Sequence, residues 1–326
     1  QYEFVLEQAV SHPERPVSQI SLLAESTRAV LPDPARPLEP WTGPTLTEPF
    51  LRHARRNPDR RAVVDVDGAL DYGAMERLSA GLAGRLGAAG VSRGDVVALF
   101  CPRSRELVWG MLGVLRAGAG FVVLDPDHPP ARVLECLRVS KASAWLASPR
   151  LGAPDPALGE ALDGRQWALR AELGPDLLAG EAPRPDDGDA KPDDMAYVAF
   201  TSGTLGGVKG ILGTHGPPAH FLSWQSRTFD LNADVRFSLL SGLSHDPLLR
   251  DVFAPLHAGA TLCFPDPDVV LMPSELRRWL ADEAVTVVHL TPSLAGVLAD
   301  GAEAGVLPGL RYACLLYTSP SPRDKF

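Results

Sequence analysis

Residues 196–210 read AYVAFTSGTLGGVKG, an apolar run followed at once by a loop of glycine and hydroxyl residues that leads to Lys209. The continuous apolar run at 196–200 predicts a buried strand. Glycines allow backbone N–H groups to point into a loop, and hydroxyl groups and a lysine add donors, so the loop is typical of a phosphate cradle. Its spacing differs from the G-x-x-x-x-G-K-[ST] pattern of a Walker loop. An ordinary glycine-rich surface turn is the alternative.

The composition narrows the class of protein. The chain has 326 residues, with 40 acidic and 31 basic side chains and a formal net charge of −9. This balance argues against a nucleic-acid partner, which would require a basic face. No apolar run reaches the roughly 18–20 residues of a bilayer span, so we expect no membrane partner and a cytoplasmic location. Few of the basic residues are lysines, which makes Lys209 informative.

The four cysteines give no sign of a metal site or a disulfide framework. They are scattered, form no C-x-x-C pair and have no histidine at metal-ligand spacing. Such cysteines are usually buried free thiols. We therefore expect no protein-held metal ion of the zinc type.

The pattern of apolar residues divides the chain. Residues 1–10 have the pattern of an amphipathic helix, and the prolines of 32–49 predict an extended linker. From residue 50 onward, short apolar strands alternate with helices, which predicts an α/β fold of two packed lobes, each a mostly parallel sheet flanked by helices. Residues 150–192 read as a surface excursion with one helical stretch at 166–173. The predicted strands are 62–66, 96–100, 121–124, 144–147, 196–200, 237–240, 260–264 and 285–290.

Several segments resemble, in order, the core motifs of the adenylate-forming enzymes, the superfamily of nonribosomal peptide synthetase adenylation domains, acyl-CoA synthetases and luciferases. The stretch 197–210 is similar to the signature Y-T-S-G-[ST]-T-G-x-P-K-G. The others are Leu70-Asp71-Tyr72, residues 115–126 (LRAGAGFVVLDP), His245-Asp246-Pro247-Leu248 and residues 285–293 (VTVVHLTPS). The resemblance covers residues 50–313, and the shared order of the motifs makes it specific.

The resemblance implies a function in secondary metabolite biosynthesis. An adenylation domain uses ATP and Mg²⁺ to convert an amino acid to its aminoacyl-AMP, and then passes the acyl group to the phosphopantetheine thiol of a carrier domain. Residues 1–31 look like the tail of a condensation domain, so the carrier and condensation domains of one assembly line are the expected partners. The chain resembles the N-terminal part of the family's fold, without its barrel subdomain and C-terminal lid domain.

The resemblance also assigns roles to single residues. It places Thr204 and Lys209 in catalysis, and it places Asp246 against the α-amino group of the substrate. A helix N-cap before Pro247 is an alternative for Asp246 that is compatible with this role. The residues that would hold the ATP phosphates are Thr201, Ser202, Gly203, Thr204, Gly206, Gly207 and Lys209.

Pro247, Arg250 and His289 fall where the family lines its side-chain pocket. An arginine there could select an acidic or polar substrate. Arg250 could instead turn outward and pair with Asp251, and His289 could be a core histidine with satisfied hydrogen bonds.

The sequence departs from the family pattern within the site. Leu205 stands where the family has a threonine, Val208 replaces a proline, His245 a phenylalanine and Leu248 a serine. These changes leave open an altered substrate class or weaker nucleotide binding. Two other functions therefore stay open: an acyl- or aryl-CoA ligase, and a noncatalytic scaffold domain with a degenerate nucleotide site.

The last residues have a different character. Residues 314–324 read CLLYTSPSPRD, which resembles the in-frame translation of a transposase end sequence used to prepare DNA libraries. We expect 314–326 to be a non-native tail, with a genuine Ser/Pro tail as the alternative. The chain is then a fragment of an enzyme and is expected to be inactive by itself.

Overall fold

The computed structural model describes residues 2–31, 33, 35–37, 39–174, 190–202, 207–243, 247–270, 272–299, 307 and 309–315. The chain forms two compact units, Gln1–Pro40 and Trp41–Phe326. Among the described residues, no helix is both long and apolar enough to cross a membrane.

The first unit contains helices α1 (Tyr2–Ser11) and α2 (Glu25–Arg28). The Gln8 side chain fastens the connecting segment to α1, because its Nε2 donates to the Ser21 carbonyl at 2.8 Å and its Oε1 accepts from the Ser21 N–H at 3.1 Å. Both ends of the amide are thus satisfied by one residue of the connection. The predicted helix at 1–10 is present.

The second unit alternates strands and helices over its whole length. Its elements, in chain order, are α3 (Glu48–Arg56), β1 (Arg61–Asp65), β2 (Gly68–Asp71), α4 (Tyr72–Ala88), β3 (Val96–Phe100), α5 (Arg105–Arg116), β4 (Gly120–Leu124), α6 (Pro130–Ser140), β5 (Ala144–Ala147), α7 (Pro156–Asp163), β6 (Leu169–Glu172), β7 (Met195–Ser202), β8 (Val208–Thr214), α8 (Gly216–Thr228), β9 (Arg236–Ser238), α9 (Pro247–Ala258), β10 (Thr261–Cys263), α10 (Pro267–Val270), α11 (Pro273–Asp282), β11 (Val287–Leu290), α12 (Pro292–Ala299) and β12 (Tyr312–Leu315).

The strands form two sheets. The described strands lie in the orders β12-β11-β9-β10-β1-β2 and β6-β5-β3-β4-β7-β8. All neighbouring strands are parallel except in the hairpins β1–β2 and β7–β8. The predicted α/β class with two mostly parallel sheets is confirmed.

The two sheets do not follow the two halves of the sequence. Strand β1 pairs in parallel with β10, with Val63 opposite Leu262, and β4 pairs with β7, with Phe121 opposite Tyr197. Each sheet therefore takes one hairpin from the other half of the chain. This exchange is invisible in the pattern of apolar residues, because a buried strand looks the same whichever sheet it joins.

The helices that cover the sheets pack closely. Asp71 caps α4 by accepting from the Ala74 N–H at 2.6 Å, and α4 then packs against α5. A Cβ added to Gly113 in α5 would lie 2.6 Å from Leu82 Cδ2 in α4. The glycine therefore permits a helix–helix contact that any larger residue would push apart.

Three local predictions were wrong or incomplete. Residues 166–173 were expected to be helical, but the helix is α7, which begins after the N-cap Asp155, and residues 169–172 form β6 beside β5. Strand β8 falls where the sequence predicts a loop, because an edge strand without a strong apolar alternation gives little signal in the sequence. Helix α12 was not predicted.

Candidate adenylation site

The predicted phosphate loop falls between β7 and β8, which pair as an antiparallel hairpin, called the phosphate-loop hairpin below. Thr201 lies opposite Lys209 across the two strands, and Ser202 lies opposite Val208. The side chains of Thr201 and Lys209 are exposed, and so is Gly207. The predicted phosphate ligands Gly203, Thr204 and Gly206, together with Leu205, lie outside the described residues.

Helix α6 supports the returning strand of this hairpin. Glu135 Oε1 accepts from the Val208 N–H at 2.9 Å, and a Cβ added to Gly210 would lie 3.0 Å from Val139 Cγ1 of the same helix. The hairpin can approach α6 this closely because residue 210 has no side chain. Glu135 was not singled out in the sequence, since nothing in the spacing of α6 signals a contact 73 residues away.

The donors of the hairpin suit a polyanion. A hydroxyl and an ammonium group face each other across adjacent strands, and both are open to solvent. Phosphate oxygens accept hydrogen bonds from such groups, and a lysine adds a mobile positive charge. The described residues therefore fit the phosphates of ATP. In the described part of the chain, no group of three or more His, Cys, Asp or Glu side chains could hold a metal ion.

A pocket of about 290 Å³ lies beside the strand that leads into the loop. It contains both Pro247 and Arg250, so the structure brings these two predicted pocket residues together. Asp246 lies outside the described residues, and His289 is not part of the lining. The lining residues are Tyr197 from β7, Pro217, Pro218, Phe221 and Leu222 from α8, and Pro247, Leu249 and Arg250 from α9.

Arg250 pairs with Asp251, as one of the two alternatives anticipated, but the pair does not face outward. Arg250 Nε donates to Asp251 Oδ1 at 3.1 Å, and the Asp251 side chain is completely buried. The buried Arg250 Nη2 lies 3.1 Å from the same carboxylate oxygen, so two nitrogens of the guanidinium face Asp251. Arg250 therefore lines the pocket while its side chain is anchored to the buried Asp251.

His289 lies behind the pocket wall. Its Nδ1 is 2.8 Å from Asp251 Oδ1, and its Nε2 is 3.3 Å from Nε2 of the buried Gln225. Ser241 completes the arrangement, because its hydroxyl donates to Asp251 Oδ2. We call Asp251, Ser241, His289 and Gln225 the Asp251 cluster. Its members come from four distant segments, so no motif in the sequence pointed to Ser241 or Gln225.

A second histidine lies at the base of the phosphate-loop hairpin. His215 follows β8 directly and is 2 % exposed. Burial lowers its pKa from 6.5 to about 4, so the imidazole is neutral near pH 7. Burial also lowers the pKa of His257, at the end of α9, to about 4.

The two mostly parallel sheets and the order of the motifs are those of the adenylate-forming enzymes. The model of the AMP-binding enzyme family matches residues 50–324, and the chain belongs to this family. The match runs past residue 313, where the sequence predicts the start of a foreign tail; that boundary stays a prediction.

The relatives of the chain include aminoadipate reductases and peptide synthases. It is 32 % identical to L-2-aminoadipate reductase of Schizosaccharomyces pombe over 95 % of the chain and 24 % of that protein. It is 32 % identical to syringomycin synthase SyrB1 of Pseudomonas syringae pv. syringae over 86 % of the chain and 44 % of that protein. The chain thus spans about a quarter of the length of the reductases it matches.

Solved structures support the same assignment. The nonribosomal peptide synthetase FmoA3 in its AMPPNP-bound form superposes with a TM-score of 0.77 at 29 % identity, covering 89 % of this chain and 30 % of that one. The resemblance to peptide synthetase adenylation domains is confirmed.

Proposed function

We propose that this chain is the nucleotide- and substrate-binding part of an enzyme that activates an amino acid with ATP and loads it onto a carrier domain. One observation carries the proposal: the pocket that contains Pro247 and Arg250 is also lined by Tyr197, on the strand that ends in the phosphate loop. Two motifs that are far apart in the sequence would thus lie side by side, one binding the ATP phosphates and the other the amino acid.

The proposed reaction has two steps. A carboxylate oxygen of the amino acid attacks the α-phosphorus of ATP; the new O–P bond forms as the bond to the β-phosphate oxygen breaks, and pyrophosphate leaves. The phosphopantetheine sulfur then attacks the activated carbonyl carbon, a C–S bond forms, the C–O bond to AMP breaks, and the thiol proton is released. ATP, with Mg²⁺ as its counter-ion, supplies the leaving group.

The role of the hairpin in this scheme is electrostatic. Thr201 and Lys209 would bind the β- and γ-phosphates and stabilise the negative charge that pyrophosphate gains as it leaves. Ser202, Thr204 and the glycines at 203, 206 and 207 would supply further hydroxyl and backbone donors. Lys209 contributes most in this scheme, since it brings a full positive charge.

The pocket indicates the side chain of the substrate. Arg250 lines the pocket and would present its guanidinium to a carboxylate. Asp246 would pair with the α-amino group. We therefore propose an amino acid with an acidic side chain, and L-2-aminoadipate is the first candidate because several relatives are named as its reductases.

The partners follow from the same relatives. Syringomycin synthase and the gramicidin synthases are similar to this chain, so a carrier domain would receive the acyl group. A condensation domain, with residues 1–31 as its tail, would use it. Cytoplasmic location is part of this proposal.

The test is ATP–pyrophosphate exchange by the complete protein that contains this chain, with separate panels of amino, fatty and aryl acids. We expect exchange with amino acids alone. Exchange with fatty or aryl acids alone would favour a CoA ligase, and absence of ATP binding with intact carrier binding would favour a scaffold. Either of these results would overturn the proposal.

A further inference from the structure

Asp251 is a charged side chain at the centre of the second unit with no access to solvent. Its side chain is 0 % exposed, whereas that of the neighbouring Arg250 is 16 % exposed. A buried carboxylate costs several kcal/mol unless charges and hydrogen bonds compensate it. The fold satisfies this requirement with contacts from three directions, which makes the position of Asp251 well defined.

Two of these contacts hold the carboxylate itself. The Ser241 hydroxyl donates to Oδ2, and the His289 ring packs against Oδ1, with Nδ1 at 2.8 Å but outside hydrogen-bond geometry. His289 is in turn next to Gln225 of α8. Because both oxygens are engaged, Asp251 cannot turn into the pocket, where its negative charge would repel an acidic substrate.

The third contact fixes the arginine. Arg250 has five N–H donors; its Nε donates to Asp251 Oδ1, and its Nη2 lies 3.1 Å from the same oxygen. A guanidinium held at one edge keeps its other donors directed away from that edge. An arginine without such a partner samples many rotamers and loses binding free energy when a ligand fixes it.

We propose that Asp251 is a positioning residue for substrate selection, holding Arg250 at the pocket wall in the orientation that receives an acidic side chain. This inference rests on the proposed function. Asp251 acts through Arg250 and does not touch the substrate, so its removal changes which amino acid is preferred more than it changes the rate of adenylation.

The test compares the complete wild-type protein with its Asp251→Asn variant in pyrophosphate exchange. The substrates are L-2-aminoadipate and its neutral analogue L-norleucine. For the variant we expect the KM for 2-aminoadipate to rise about tenfold, with kcat changed less, because a binding interaction is weakened. The KM for norleucine should stay within about twofold of wild type. In an Arg250→Ala background, the same change should add nothing.

The Tm of the variant and a second substitution separate positioning from a purely structural role. A purely structural role would raise both KM values together and lower Tm, and that result overturns the inference. If Asp251→Asn does not fold, Ser241→Ala is used in its place. We then expect a smaller rise in the KM for 2-aminoadipate. Unchanged selectivity in Ser241→Ala would contradict the inference. A wild-type protein without preference for the acidic substrate overturns the proposed substrate and this inference together. An unchanged preference in Asp251→Asn overturns this inference alone.

Discussion

The phosphate-loop hairpin and the Asp251 cluster contribute different kinds of groups to the site. The hairpin presents the exposed residues Thr201 and Lys209, and its strand β8 forms the edge of the sheet. The cluster places Asp251 and His289 in the interior, where neither is more than 1 % exposed. The hairpin is therefore suited to bind a mobile, strongly charged ligand, while the cluster is suited to hold one side chain in a fixed direction. Loss of the first should stop the reaction, and loss of the second should change its selectivity.

The largest effect is expected at Lys209. Lys209→Ala removes the full charge at the phosphate loop and should lower kcat for pyrophosphate exchange by about 10²–10³-fold, the usual cost of removing a group that stabilises transition-state charge. Lys191→Ala is the matched control, since Lys191 is also an exposed lysine. Equal activity of the two variants would contradict the role of Lys209.

The next largest effect is expected at Arg250. Arg250→Ala should reduce kcat/KM for L-2-aminoadipate by about 10–100-fold, because a charged hydrogen bond to the substrate is lost. The value for L-norleucine should change little. The selectivity ratio of the complete protein, measured by exchange, checks this. Parallel losses for both substrates would show that Arg250 supports the fold and not the choice of substrate.

A smaller effect is expected at Glu135, which ties the hairpin to α6. Glu135→Ala removes the acceptor of the Val208 N–H and should raise the KM for ATP by about 3–10-fold, the equivalent of one modest hydrogen bond. Glu135→Gln keeps a side-chain oxygen and should stay near wild type. A lower KM in the alanine variant would mean that the carboxylate repels ATP, contrary to a supporting role.

The last effect concerns the pH dependence of stability and the buried imidazole of His215, which follows β8. The pKa of His215 is lowered from 6.5 to about 4, so the unfolded chain binds more protons than the folded one between these values. The free energy of unfolding is therefore highest above pH 6.5 and should fall as the pH is lowered toward 4. The slope is at most about 1.4 kcal/mol per pH unit for this imidazole.

Urea unfolding of the chain at several pH values measures that slope. His257 contributes in the same direction, so His215→Gln should reduce the slope without abolishing it. An unchanged slope in this variant would show that His215 does not control the pH dependence.

The sequence predicted the parts of the fold that depend on local patterns. Strands such as β3 and β4 are buried along their whole length, and their apolar runs are visible without a structure. Glycines and hydroxyl groups that occur together before Lys209 predict a phosphate loop, and this role stays a prediction. Pro247 and Arg250 were placed by resemblance, since they stand next to a motif.

The rest depends on contacts between distant segments. Strand β8 is at an edge and carries two glycines, so no alternation marks it. The buried state of Asp251 depends on Ser241 and His289, which are 10 and 38 positions away in the sequence. Packing brings the residues of this cluster together. The sequence around each one, taken alone, predicts no special role.

The most direct test of the account is to identify the adenylate itself. The complete protein is given ATP, Mg²⁺ and an equimolar mixture of amino acids, and the acyl-AMP formed is measured by mass spectrometry. The account predicts an adenylate of an acidic amino acid, with that of L-2-aminoadipate the most abundant. An adenylate of a neutral or basic amino acid, or no adenylate, would contradict it.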